Sequence, residues 1–517
     1  MTTKKPFTLP GFPSNWTIGL QLIVALFIVG VLGAGIFAGY PAIQKTFDAA
    51  STSDRLRGGM NNFTGFAPGI WMNGGAKPNK DSRMTREFGV ELEVIVQDDM
   101  NKLISSLKSG DLDFIFTTTD ISPISMEEGG DLASMTVQQF LKIDDSRGAD
   151  VFIVNRAIQS VQQLKGKKIA VALGFPSNTL LHATLEAGGL TEKDVTLLTF
   201  PDPIAAKNAY ISGNADATVV WSPDDIACLE ARPSKVLTST ALMPNIIMDG
   251  FVARKDVLEK KKDLFIALSK AWLTANAEMQ HSAQLAEAAA VYKVAFEVSD
   301  SVKDIIQGMK LIHFATYGDN INFFGLSTDF TGITGQALYN KMARVYKNGY
   351  GNNLKTIVPW NLASNPSIVQ AITGLTGDAH APEKQAEFTP LASTAAEVAK
   401  PALATKSVSV NFSLNSALLS ETERDKIRRE IGATALELAG FRIRVEGNTD
   451  STGNRELNIA LSRKRARAVA DYLVKEYQFD PNRFIVVGNG PDKPVAANDT
   501  EIGRARNRRT DFEFIEN

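Results

Sequence analysis

Between about Asn61 and Gly377 the chain alternates short apolar runs with stretches of helical spacing. Val90–Val96 predicts a strand, Met100–Lys108 an amphipathic helix and Leu112–Thr117 a second strand. The rhythm returns in Lys168–Leu173, Thr179–Ala187, Val195–Phe200, Ile204–Ile211 and Ala215–Trp221. Strands that alternate with helices build an α/β domain, and two such runs imply two lobes. Arg254–Lys262 predicts a charged, exposed helix start, while Ala-rich Leu264–Gln280 and Leu285–Phe296 predict helices packed on the lobes. Phe323–Tyr350, aromatic and Gly-rich, receives no element.

Before this domain, Trp16–Tyr40 contains no charged residue. As a helix it would be about 37 Å long, enough to cross a bilayer core of about 30 Å. A signal peptide is the competing reading, with Gly33-Ala34-Gly35 and Phe37-Ala38-Gly39 near a cleavage point, but its apolar region is usually only about 7 to 15 residues. The expectation is an uncleaved anchor with a cytoplasmic tail at 1–15. The span holds no Asp or Glu, which disfavours an ion-driven motor role. Residues 41–60 read as a spacer, and Asp378–Lys406, with Pro382, Pro390 and Pro401 and no apolar period, as a flexible linker.

Towards the end, a helix from about Asn454 to Glu476 predicts an apolar arc of Leu457, Ile459, Leu461, Ala468, Val469, Tyr472 and Leu473. Asn458, Ser462 and Arg465 project into the same arc. A guanidinium on the packed face needs an anion, from within the fold or from a ligand.

An apolar content of 44% excludes general disorder, and a net charge of -2 gives no reason to expect nucleic acid. The basic runs Arg424–Arg429 and Arg504–Arg509 have acids close by and read as solvated faces. Cys228 is the one cysteine, so no intrachain disulfide can form. The four histidines are scattered; neither a metal site nor a cofactor is expected. Gly174-Phe175-Pro176-Ser177-Asn178 lacks the second glycine of a nucleophile elbow, and no phosphate loop or zinc-protease motif occurs, so no enzyme is expected.

The order Phe441–Glu446, Gly447-Asn448-Thr449-Asp450, long helix, Gly488-Asn489-Gly490, Asn507-Arg508-Arg509-Thr510 resembles the OmpA-like peptidoglycan-binding domain. The resemblance implies that Asp450 meets the ammonium and Arg465 the carboxylate of the diaminopimelate side chain, with Thr449 and Asn458 adding neutral hydrogen bonds and Arg509 completing the set. A dipolar terminus does need one receptor charge of each sign. Asn448 departs from the histidine of many relatives. The alternative is structural: Asp450 caps the helix or pairs with Arg465.

Phe66-Ala67-Pro68, Leu107–Asp113, Asp145–Asp150, Leu164–Val171, Ser212–Ala217 and Trp221-Ser222-Pro223 resemble periplasmic solute-binding proteins of the nitrate, sulfonate and thiamine-precursor class. That resemblance implies a ligand held between two lobes by loops at strand ends, here Phe66, Asp120, Ser122, Ser177, Asn178, Thr179, Trp221 and Asp249. Gly174–Thr179 opens a helix and suits a polar or anionic group, or else Ser177 and Asn178 simply cap it.

The expected fold class is thus α/β: a single transmembrane helix (16–40), a two-lobed periplasmic-binding-protein-like domain (61–377), a linker (378–406) and a small α+β OmpA-like domain (407–517). The expected function is a ligand-responsive tether between inner membrane and wall, most of it periplasmic. Its expected partners are peptidoglycan, a small-molecule ligand, the membrane and a membrane-protein partner. An importer's delivery subunit and an envelope spacer with a vestigial cleft are the alternatives.

Overall fold

In Glu91–Val96, Leu92 and Val94 turn inward while Glu91 and Glu93 stay half-exposed, the period of two that a strand with one covered face requires. The computed structural model describes residues 55–126, 136–348, 354, 356–390, 398–413 and 415–516. Trp16–Tyr40, read as the anchor, lies outside them. Among the described residues no helix is long and apolar enough to cross a membrane.

The chain first builds β1 (Arg55–Met60), β2 (Glu91–Val96), β3 (Phe114–Thr118) and β4 (Val137–Ser146). It then crosses to a second sheet made by β5 (Asp150–Asn155), β6 (Lys168–Ala172), β7 (Thr196–Phe200), β8 (Ala217–Trp221) and β9 (Ser234–Ser239). It returns with β10 (Met248–Arg254) and β11 (Ile312–Phe314). The first sheet runs β11-β4-β10-β3-β1-β2 and the second β7-β6-β8-β5-β9. Two crossings, β4 to β5 and β9 to β10, therefore join the lobes. Ser146 and Thr240, one on each crossing, share a 2.7 Å hydroxyl hydrogen bond.

Residues 55–60, expected to end a spacer, instead form β1 between β3 and β2. Its glycines mislead because they serve packing: a Cβ on Gly58 would lie 2.3 Å from the Phe114 ring. The helices Lys262–Glu278 and Ser282–Ala295 pack on the first lobe around buried Trp272 and Tyr292. The unassigned aromatic stretch contains the helix Gly335–Asn348, whose Tyr339 donates to the Val358 carbonyl at 3.0 Å.

The last sheet is β12-β15-β13-β14, with β12 (Ala404–Val408), β13 (Phe441–Asn448), β14 (Phe484–Gly490) and β15 (Thr510–Glu516). Residues 404–406, read as linker, are thus the start of an edge strand. Phe441, Ile443 and Val445 supply one side of β13, while Arg442, Arg444 and Glu446 alternate on the other and are buried too. What covers them is the linker. Arg442 donates to the Thr389 carbonyl at 2.7 Å, and Arg444 to the Val398 and Lys400 carbonyls at 2.7 and 3.1 Å. The Phe388 amide donates to Asp480 at 2.7 Å. The expectation of a free tether is corrected accordingly: Thr389, Val398 and Lys400 of the linker lie along β13, because buried guanidinium groups need carbonyl acceptors, and Ala381 and Glu383 are bonded to Thr316 and Asp319 of the first lobe.

Candidate functional site

β13 ends at Asn448, and the chain turns through Thr449 and Asp450 into the helix Arg455–Tyr477. That helix is capped by Asn454, whose side chain accepts from the Leu457 amide at 3.0 Å. Asp450 is therefore not its cap. Instead, one Asp450 oxygen accepts from the Thr452 amide at 2.8 Å and the other from Arg508 at 2.7 Å. Burial pushes this carboxyl up, but the Arg508 and Thr452 hydrogen bonds outweigh it and hold its pKa below the usual range.

Arg465, one turn beyond Leu461, lies over the Phe412 ring with its guanidinium 5.0 Å from the centroid. It donates to the Ser416 and Ser413 carbonyls at 3.0 and 3.3 Å. Burial lowers its pKa, and the charge of nearby Asp450 works the other way. The two charges thus sense one another, yet the carboxylate pairs with Arg508 and the guanidinium with neutral carbonyls.

The remaining residues of the expected set divide. Asn458 donates to the Thr452 carbonyl at 2.9 Å and so braces the turn. Thr449 is buried and donates to the Asp450 carbonyl at 2.8 Å. Arg509 faces away from Asp450, held by both Asp511 oxygens at 3.0 and 2.8 Å and by the Lys493 carbonyl. Its place is taken by Arg508, which a run of basic residues disguised as solvated surface. The predicted apolar arc is also displaced: Leu457 is 71% exposed, and the covered line is Ser462, Ala466, Val469, Ala470, Leu473 and Tyr477. Arg465 therefore sits at the edge of the packed face, half-buried.

In the two-lobed domain the expected cleft residues also separate. Phe66 is core, fully buried with the Phe116 ring at 5.5 Å and Phe251 at 6.3 Å. Ser122 donates to the Thr118 carbonyl at 2.9 Å. Asn178 ties its own loop, accepting from the Gly174 amide at 2.7 Å and donating to the Ala172 carbonyl at 2.8 Å. Trp221 is half-buried beside Phe175, ring centroids 6.3 Å apart. Ser177 is fully buried and its hydroxyl has no hydrogen-bond partner among the described residues.

Three expected residues do converge. Thr179, from the second lobe's helix Ser177–Ala187, donates to Asp120 of the first lobe at 2.5 Å. Asp249 stands opposite Thr118 on β3 and Asp144 on β4. Burial pushes Asp120 and Asp144 up to about 7, and Asp249 well above its usual value with Asp144 adding repulsion. Asp150, at the start of β5, is pushed up to about 6 by burial. Neighbouring Asp145, also buried, is held low by Arg147 and Lys142. The helix start expected to receive an anion is thus already occupied by a resident carboxyl, and carboxyls surround it. Of the expected polar or anionic group, these carboxyls favour the polar one, which can hydrogen-bond to them whether or not they are ionised. Sequence reading missed Asp144 and Asp150, although they flank and end the Asp145–Asp150 phrase.

Two family models match, the OmpA family over residues 411–508 and "NMT1/THI5 like" over 85–284. Outer membrane protein Omp38 of Acinetobacter baumannii is 43% identical over 89 residues, 17% of this chain and 25% of that one. Outer membrane protein A of Bordetella avium is 42% identical over 91 residues, 18% of this chain and 44% of the relative. A peptidoglycan-associated lipoprotein of Pseudomonas putida is 40% identical over 83 residues, 16% of this chain and 49% of the relative. The chain therefore spans less than half the length of each of these relatives or about half. Among solved structures, the periplasmic aliphatic sulphonate binding protein SsuA of Escherichia coli aligns at 18% identity and a TM-score of 0.46, covering 60% of this chain and 97% of that one. The periplasmic nitrate-binding protein NrtA of Synechocystis PCC 6803 aligns at 16% identity and a TM-score of 0.38, covering 50% and 70%. By these matches the chain joins a region like NMT1/THI5 proteins to a C-terminal region like the OmpA family.

Proposed function

We propose that this protein is an inner-membrane-anchored periplasmic tether that holds peptidoglycan through its OmpA domain and responds to a small solute in the interlobe cleft. The observation that supports it most is that two unlike charges lie close enough to influence one another without pairing: Asp450, in the turn after β13 and paired with Arg508, and Arg465, on the following helix and met by carbonyls and a ring. A dipolar amino-acid terminus offers an ammonium to the one and a carboxylate to the other, the guanidinium binding it through two parallel hydrogen bonds. Arg508 neutralises Asp450 in the absence of wall peptide and yields part of its contact when the ammonium arrives. Trp16–Tyr40 is the proposed anchor.

The solute is a cation or an uncharged polar molecule, since Asp120, Asp144, Asp150 and Asp249 are buried around the cleft. The decisive experiment for the tether is sedimentation with purified sacculi. Asp450→Ala together with Arg465→Ala should lower binding at least about tenfold, the equivalent of one charge-assisted contact; undiminished binding would remove the wall-binding half of the reading.

A further inference from the structure

The two lobes and the OmpA domain meet at a half-buried ion cluster. Lys341 belongs to the helix Gly335–Asn348, which is fastened to the first lobe: Tyr339 packs on Trp360 at 5.4 Å, and the segment after Trp360 reaches β4, where the Asn365 amide donates to the Gln139 carbonyl at 2.8 Å. Its ammonium pairs with Glu186 at 2.7 Å and Glu437 at 2.5 Å. Glu186 sits near the end of the second lobe's helix Ser177–Ala187, whose start carries the cross-cleft contact of Thr179 with Asp120. Glu437 belongs to the OmpA domain, as does Lys406 of β12, 3.8 Å from Glu186. One lysine therefore links three bodies.

The OmpA domain also grips each lobe separately. On the second lobe, the Val161 amide donates to the Leu403 carbonyl at 2.8 Å, and the Gly440 amide donates to the Leu242 carbonyl at 3.0 Å. Gly440 allows that approach, because a Cβ there would lie 2.9 Å from the Leu242 Cα. On the first lobe's side, Thr331 donates to the Tyr477 carbonyl at 2.8 Å. Thr331 follows the helix Tyr317–Phe323, whose Asn320 bonds both the amide and the carbonyl of Lys142 on β4.

We infer that the OmpA domain is a clamp across the two lobes, so that the cleft opens only when this domain lifts from at least one of them. A lobe rotation about the Ser146 and Thr240 crossings would carry Glu186 away from Lys341, and an OmpA domain bonded to both sides cannot follow both. The inference rests on reading the middle domain as one whose cleft opens to admit a solute. It adds the regulator. The wall site lies at the opposite end of β13 from Gly440, and the helix Arg455–Tyr477 spans the distance, about 34 Å at 1.5 Å per residue. Wall contact and clamp contact are therefore made by different ends of one rigid domain, and a pull at one reaches the other.

The test is amide hydrogen exchange on the full chain, without solute, comparing wild type with Gly440→Val, a steric wedge that leaves no charge stranded. The Val161 amide reports undocking; residues 118–122 and 174–180 report the cleft. The expected result is faster exchange at both, by about tenfold or more. Faster exchange at Val161 with an unchanged cleft overturns the clamp, as does no change at either. Should Gly440→Val fail to fold, Lys341→Met with Glu437→Gln removes both ion pairs of Lys341 and leaves Glu186 with Lys406; the same two outcomes decide. Because no solute is present, failure here leaves solute binding standing, and a failed solute screen leaves the clamp standing.

Discussion

Asp120 accepts a 2.5 Å hydrogen bond from Thr179 across the cleft, a polar contact between fully or almost fully buried groups of the two lobes. The second Asp120 oxygen has no hydrogen-bond partner among the described residues. The contact adds to the Ser146–Thr240 hydrogen bond at the crossings and the Lys341–Glu186 ion pair, which also join the lobes.

Thr179→Val keeps the side-chain volume and removes the donor. It leaves Asp120 buried without its cross-lobe partner, a loss of about 1 to 3 kcal/mol for an orphaned polar group. The expected outcome is a lower midpoint in urea at an unchanged radius of gyration by X-ray scattering, because the OmpA contacts still hold both lobes. A larger radius would mean that this hydroxyl alone keeps the lobes together.

The carboxyls of the cleft give stability a definite pH dependence. Asp120 and Asp144 are raised to about 7, and Asp249 well above its usual value, all from an unfolded value of about 3.9. A carboxyl raised in the folded state favours folding below its unfolded pKa and loses that advantage as pH climbs through the folded one. The melting temperature should therefore fall from about pH 4 through about pH 7, and Asp249→Asn, which removes one of the raised groups, should flatten the slope. An equal slope in the variant would place the titration elsewhere.

Several strands were legible as short apolar runs or by alternation. Val90–Val96 was expected within a residue of β2 in the first lobe, and Lys168–Leu173 and Val195–Phe200 within a residue of β6 and β7 in the second. β4 was not found, since Val137–Ser146 carries Gln138, Gln139, Lys142, Asp144 and Asp145 and yet is buried along its whole length. Pattern reading assumes that buried means apolar; here the strand passes between sheet, cleft and linker, and each polar group is held or faces the cleft. The linker failed for the converse reason. Its prolines and lack of apolar period are real, but Arg442 and Arg444 hold it through backbone carbonyls, which no side-chain pattern records. In the OmpA domain the turn and helix were legible, while the partner of Asp450, Arg508, was hidden in a basic run and the expected Arg509 pairs with Asp511 instead.

That exchange between neighbours gives a discriminating pair. Arg509→Ala breaks a buried pair with Asp511 and should destabilise the fold by about 1 to 3 kcal/mol, with sacculus binding per folded molecule unchanged. Arg465→Lys keeps the charge but loses the planar fork, and should weaken sacculus binding about tenfold with little change in stability. Co-sedimentation corrected for folded fraction by circular dichroism separates the two. If Arg509→Ala weakened binding as strongly as Arg465→Lys, the assignment of the site would be wrong.

Arg483 offers a test of what holds the OmpA domain together. It is 2% exposed and carries no salt bridge among the described residues; its guanidinium donates to the carbonyls of Phe441, Ala435 and Leu438 at 2.9, 2.7 and 2.7 Å and stacks 4.5 Å from the Phe479 centroid. Burial lowers its pKa to about 9, so desolvation already weighs on it. Ala435 and Leu438 close the short helix Ala433–Glu437, whose last carbonyls need donors that the helix itself cannot give. Arg483→Met would fill the space and relieve the desolvation of a buried cation, but it orphans three carbonyls. Their loss outweighs the relief, and a net destabilisation of about 2 to 3 kcal/mol is expected. Chemical denaturation of the full chain would register it as an earlier transition. A variant as stable as the wild type would mean that water replaces the guanidinium, and that Arg483 is a passenger in the core.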